Sequence, residues 1–219
     1  MENSTKPAAT TLAEQEAEKA KTEKIKKTVT LVSGIVIAIV AIALIYVFAV
    51  RNPGVKKADN AFAKAYTELQ SGQDSLALAD MRVAAEYGYK SGNLAKVYAA
   101  NMLYEKGEYQ AALDYYKSAD LSDAIAAPGV LGKAGDCLVA LGKPEEALSY
   151  FDKAISAADG NPQLVPYFLQ KKARIYNNLG KSTEEAKIYN EIRTKYPMSL
   201  QGQSAEKYLE RANAAAAGK

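Results

Sequence analysis

Gly72, Gly107, Gly142 and Gly180 each open the same short phrase, and that recurrence narrows the folds open to the chain. Five residues after them stand Ala77, Ala112, Ala147 and Glu185, and four further on come Met81, Tyr116, Phe151 and Tyr189. Seven residues before them lie Ala65, Ala100, Gly135 and Ala173, small in every case. The glycines are spaced 35, 35 and 38 residues apart. A period in the thirties that keeps small and large apolar residues in phase is the signature of stacked helical hairpins. Small residues let two helices of a hairpin approach closely, and the large residue fills the gap to the next. Glycine between them supplies a left-handed turn at no steric cost. The expected fold is therefore all-α, a solenoid of about four hairpins. The segment SLQGQSAEKYLERA, with Ala205, Tyr208, Leu209 and Ala212 on one face, reads as the helix that closes its exposed end.

A second feature concerns placement. Thr28 to Val50 is a run of 23 residues without a charge. As a helix it spans roughly 34 Å, enough for a hydrocarbon core of about 30 Å. It is apolar all round, whereas a solenoid needs amphipathic helices, so it reads as a transmembrane helix. Lys19, Lys21, Lys24, Lys26 and Lys27 precede the run, and Arg51, Lys56, Lys57 and Lys64 follow it. The positive-inside rule then puts the amino terminus in the cytoplasm and the repeats on the other side.

These features divide the chain. Residues 1–27 are a charged cytoplasmic tail, its first ten residues expected to lack structure, with a capping box at Thr11 and Glu14. Residues 28–50 are the span and 51–56 a linker, because Pro53 and Gly54 are expected to break the helix. Residues 57–214 form the repeat domain and 215–219 a disordered tail. Within the repeats, Ser182 and Glu185 read as a capping box and Pro144 as a first-turn proline.

Composition removes most chemistry. There is no His and one cysteine, Cys137, which excludes an intramolecular disulfide, Cys/His zinc sites and His-dependent triads. Cys137 sits inside an expected helix and reads as core. No phosphate loop, metal-spaced cluster or catalytic carboxylate pair stands out, so no catalytic residue, metal or cofactor is expected. Glu145–Glu146 and Glu184–Glu185 read as acids favoured at helix starts, and Lys171, Lys172 and Arg174 as a solvated basic face. From Arg51 onward 22 basic residues face 20 acidic ones, which leaves no field to steer nucleic acid.

The phrases GEYQAALDYYKSA, GKPEEALSYFDKA and GKSTEEAKIYNEI, the last followed by Tyr196–Pro197, resemble tetratricopeptide repeats. The first repeat departs from that pattern, with Lys64 and Glu68 where the family usually has Leu and Tyr. The whole layout of charged tail, single span and repeats resembles the ancillary translocon subunit family (YfgM-like) of Gram-negative inner membranes. That resemblance implies a single-pass inner-membrane protein with a periplasmic repeat domain. It would act as an adaptor or holdase-like helper near secretion or envelope assembly rather than as an enzyme. Implied partners are the secretion channel, periplasmic chaperones or client polypeptides. An oligomeric scaffold of an envelope or cell-division complex, whose repeats bind copies of themselves, is the alternative, and a stable homo-oligomer would favour it. By the family's pattern the first helix of each repeat lines a concave groove, which nominates Phe62, Tyr66, Leu94, Asn101, Tyr104, Asp136, Tyr167 and Arg174 as protein-binding residues.

Overall fold

A computed structural model describes the backbone of residues 8–120 and 126–218, with side chains from Glu14 onward. Among the described residues every regular element is helical. The chain divides into two compact units, one ending at Gly54 and the other beginning at Val55.

The first unit is helix α1, Ala8–Ile45, followed by a π-helical segment, Tyr46–Arg51. No side chain of the apolar run is buried, and the helix is long and apolar enough to cross a membrane. The helix already runs at Thr11, so Thr11 does not open it, and residues 8–10 are helical; residues 1–7 lie outside the described part. The expected break at Pro53 is also absent. The Asn52 N–H reaches back five residues to the Val47 carbonyl, and α2, Asn52–Gln70, continues directly. In the wider π turn the backbone is re-spaced before the proline. Pro53 then occupies the first turn of α2, where a missing N–H is tolerated.

The second unit pairs α2 with α3 (Asp74–Glu86), α4 (Tyr89–Glu105) with α5 (Tyr109–Ser118), α6 (Ala126–Ala140) with α7 (Pro144–Ala157), and α8 (Leu164–Asn178) with α9 (Ser182–Lys195). Helix α10, Leu200–Ala217, closes the end. It opens on Ser199, whose Oγ accepts the Gly202 N–H at 2.9 Å, and it buries Ala205, Leu209 and Ala212. It also carries residues 215–217, expected as a tail; Lys219 lies outside the described residues.

All four phrase glycines have φ between 67° and 79°. Each turn closes in the same way. Gly107 donates to the Tyr104 carbonyl and Glu108 to the Leu103 carbonyl, both at 2.9 Å, and the Gly72, Gly142 and Gly180 turns repeat the pair. This is the Schellman arrangement, which satisfies the last carbonyls of the first helix and needs a left-handed residue at the glycine. The in-phase residues form the interior: Ala65, Ala100, Ala173, Ala77, Ala112 and Ala147 are fully buried, and Met81, Tyr116, Phe151 and Tyr189 nearly so. A Cβ on Gly135 would lie 2.9 Å from the Phe151 ring, so the glycine is what lets that ring seat. Burying a side chain of this size contributes roughly 2–3 kcal/mol.

The apolar interior falls into two clusters that meet at α8. Phe168 and Ile175 belong to the cluster of the earlier hairpins, while Val165, Leu169 and Ala173 pack with α9 and α10. Cys137 is buried in the first cluster, where burial pushes its thiol up to about 11.

Two capping expectations separate. Pro144 does open α7. Ser182 and Glu185 form no capping box, because Lys181 is the cap residue of α9 and the Glu185 carboxylate accepts from Arg211 of α10. Glu185 does lie in the first turn of α9, as Glu184 does, but it is 1 % exposed and its partner is Arg211. The basic face is likewise partnered. Lys171 pairs with Asp136 at 2.7 Å and Lys172 with Asp152.

Candidate protein-binding groove

Helices α4, α6 and α8, the first members of three successive hairpins, line a trough of about 390 Å³. Its shape follows from what α6 lacks. Gly129 and Gly132 present backbone where neighbouring repeats carry side chains, and the Phe168 ring lies across Gly132 so closely that a Cβ there would sit 2.4 Å from it. Leu94 and Val97 of α4, Val130 of α6, and Leu164 and Phe168 of α8 make apolar walls. Such a surface gains by covering an apolar side chain, at roughly 25 cal/mol per Å² removed from water.

Polar groups sit at fixed points of this lining. The Tyr116 hydroxyl donates to Asn101 Oδ1 at 2.5 Å, which orients the amide. Burial raises the Tyr116 phenol well above its ordinary value, so it stays a donor. Lys171 Nζ donates to both oxygens of Asp136, at 2.7 and 2.9 Å, and lies 5.1 Å from the Tyr167 ring centre. Burial alone would lower the Lys171 pKa, but the bond to Asp136 and its charge prevail and raise it. Asp136 is thereby paired. Lys133, in contrast, stands over the Tyr104 ring at 4.9 Å with no acidic partner among the described residues. Burial, and then the Asp136 charge, raise the Tyr104 phenol. The trough is thus an apolar channel with an oriented amide and one available cation at its rim.

The eight nominated residues do not form one site. Leu94, Asn101, Asp136 and Tyr167 line the trough, and Tyr104 flanks it beneath Lys133. Phe62 and Tyr66 instead join Tyr98 in a separate aromatic group, with ring centres 5.6 to 5.9 Å apart. Arg174 is exposed and acts electrostatically on Tyr189 of α9, away from the trough. Sequence reasoning missed Tyr116, which comes from a second helix and carried only a core signal. It also missed Lys133, Leu164 and Phe168, which stand off the first-helix pattern used to nominate groove residues.

No family model and no curated protein matches the chain. Solved structures do. A tetratricopeptide repeat protein from Parabacteroides merdae superposes with a TM-score of 0.59 at 17 % identity, over 73 % of this chain and 61 % of its own. The present chain therefore spans less than two thirds of that protein. YrrB, described as a tetratricopeptide repeat protein with an unusual peptide-binding site, gives a TM-score of 0.55 at 18 % identity, over 73 % of this chain and 77 % of its own. At such identities the likeness speaks to fold alone, and the fold of the repeat unit is the tetratricopeptide-repeat solenoid.

Proposed function

We propose that this chain is a membrane-tethered, non-enzymatic adaptor whose trough holds extended segments of other proteins. The observation that carries the reading is the trough itself, an apolar channel with the Gly129 backbone open to it and Lys133 at its rim. A peptide can lay its main chain close to that backbone while an apolar side chain enters between Leu94, Val97 and Phe168. A related fold is described as having a peptide-binding site, which supports the same use here. The uncovered apolar helix favours tethering, because a run from Thr28 to Val50 without buried side chains has lipid as its natural surroundings. The flanking lysines favour a cytoplasmic amino terminus. The resemblance to ancillary translocon subunits then favours a periplasmic repeat domain on a bacterial inner membrane, near secretion or envelope assembly. Tethering raises the effective concentration of membrane-emerging segments, so weak contacts in the trough suffice.

The test is site-specific photocrosslinking in native membranes with a photoreactive residue at Leu94 or Val97 of the full chain. Adducts with the secretion channel, a chaperone or a nascent envelope protein are expected. Adducts no different from those of a probe at exposed Lys153 would sink the reading. Reporter fusions before Met1 and after Lys219 test the topology, and a cytoplasmic carboxyl terminus would refute the periplasmic placement.

A further inference from the structure

Helix α3 and its cap residue, Tyr87, turn an apolar stripe to solvent. Leu76, Val83 and Tyr87 are 46, 50 and 42 % exposed, and Ala79 between them is exposed as well. At the helical period these residues fall within an arc of about 80°. At the two central places of the stripe the later repeats are polar throughout. Ala79 corresponds to Asp114, Ser149 and Lys187, and Val83 to Ser118, Lys153 and Glu191. The first hairpin has thus exchanged a solvated outer face for one that gains by being covered.

What borders the stripe identifies its cover. Arg82 and Glu86 lie one turn apart on the same flank, both exposed, and neither side chain has a hydrogen bond or ion pair among the described residues. On the other flank Asp80 is already held by Lys64 at 2.6 Å. We propose that this face docks a second copy of the chain, with α3 antiparallel to its counterpart across a two-fold axis near Val83. An antiparallel pair brings like flanks together. Arg82 then faces the partner's Glu86, and Glu86 faces the partner's Arg82, over a spacing of about 6 Å along the helix. A parallel two-fold pair would instead set this flank against the partner's opposite flank, where Asp80 is already held by Lys64. One basic and one acidic residue in sequence order on one flank are self-complementary only in the antiparallel sense. The face belongs to a second helix, so the dimer leaves the trough of α4, α6 and α8 open. The inference goes beyond the adaptor reading and does not rest on it.

The experiment uses the full chain in native membranes, with Val83→Cys under mild oxidation. Val83 is exposed, so the variant is expected to melt like the parent, and the single native cysteine, Cys137, is buried and gives little background. A disulfide-linked homodimer is expected from Val83→Cys and not from Lys153→Cys, the matching position on α7. Adding Arg82→Glu or Glu86→Arg alone is expected to remove the dimer, and the two reversals together to restore it. Crosslinking no greater than that of Lys153→Cys overturns the proposal, as does linkage to a different protein or failure of the double reversal to recover the dimer.

Discussion

The carboxylate of Glu185, in α9 and 1 % exposed, accepts a hydrogen bond from the guanidinium of Arg211 in α10, itself half exposed. Arg211 also lies 5.3 Å from the ring centre of Tyr208, which stacks on Tyr189 at 5.1 Å. Glu185 occupies the place where the other repeats keep an alanine, so the last hairpin has turned a close-contact site into the attachment point of its cap.

Removing one member of this pair strands the other. Arg211→Ala is expected to lower stability by about 2–3 kcal/mol, less than for a fully buried pair because the guanidinium is partly solvated. Glu185→Ala/Arg211→Ala together restore the repeat's usual small residue and are expected to recover most of that loss. Urea denaturation of the three variants checks the order. A double variant less stable than Arg211→Ala alone would refute the account.

Two neighbouring glycines should respond oppositely to the same change. A Cβ on Gly129 meets nothing within 4 Å, so Gly129→Ala is expected to stabilise by about 0.5–1 kcal/mol through helix propensity. A Cβ on Gly132 meets Phe168, and Gly132→Ala is expected to destabilise by about 1–2 kcal/mol as the ring is displaced. Thermal melts of the two variants test the pair. Gly129→Leu, which fills the trough without that clash, is expected to abolish photocrosslinking from Leu94 while melting like the parent.

The Lys64–Glu68–Asp80 group makes the first hairpin sensitive to pH. Burial, and then the hydrogen bond and charge of Asp80, raise the Glu68 pKa above 4.5, while the Lys64 bond depresses that of Asp80 below 3.8. For Glu68 the sign is that of a raised acid. Its contribution is fully present below 4.5 and is lost as pH rises through the folded value. Asp80 acts in the opposite sense, contributing above 3.8 and losing that contribution as pH falls through its depressed value. Glu68→Gln keeps a donor toward Asp80 at every pH. It is therefore expected to melt above the parent at pH 7, with the gap closing as pH falls toward 4.5. Parallel melting curves across pH 4–7 would contradict this.

Cys137 offers a probe of the same fold. With its thiol pushed up to about 11 by burial and by the Asp136 charge, labelling at pH 8 is expected to be roughly 100-fold slower in the native chain than in denaturant. Equal rates would contradict the buried placement.

The turns and the interior were legible because they depend on residue size and on glycine alone. Gly72, Gly107, Gly142 and Gly180 announce left-handed turns, and the alanines in phase with them announce close contacts. Lys64 and Glu68 already stood out in the first repeat, although their partner Asp80 belongs to another helix and could not be read. Glu185 was read locally, as a capping acid, because Arg211 stands 26 residues away and only packing of α10 brings it near. Pro53 was read as a break because the π turn before it has no mark in the sequence. Half of the nominated groove residues line the trough, but its walls depend on Phe168 crossing Gly132, a tertiary contact no period encodes.

Lys171 and Lys172 are adjacent, yet one binds Asp136 on α6 and the other Asp152 on α7, so a single stretch of α8 grips both members of the preceding hairpin. In a helical-repeat array each hairpin touches only its neighbours, so the array is as well registered as its individual joints. Here the joint that forms one wall of the trough adds two ion pairs to its apolar packing, so α8 is registered against both helices of the hairpin before it.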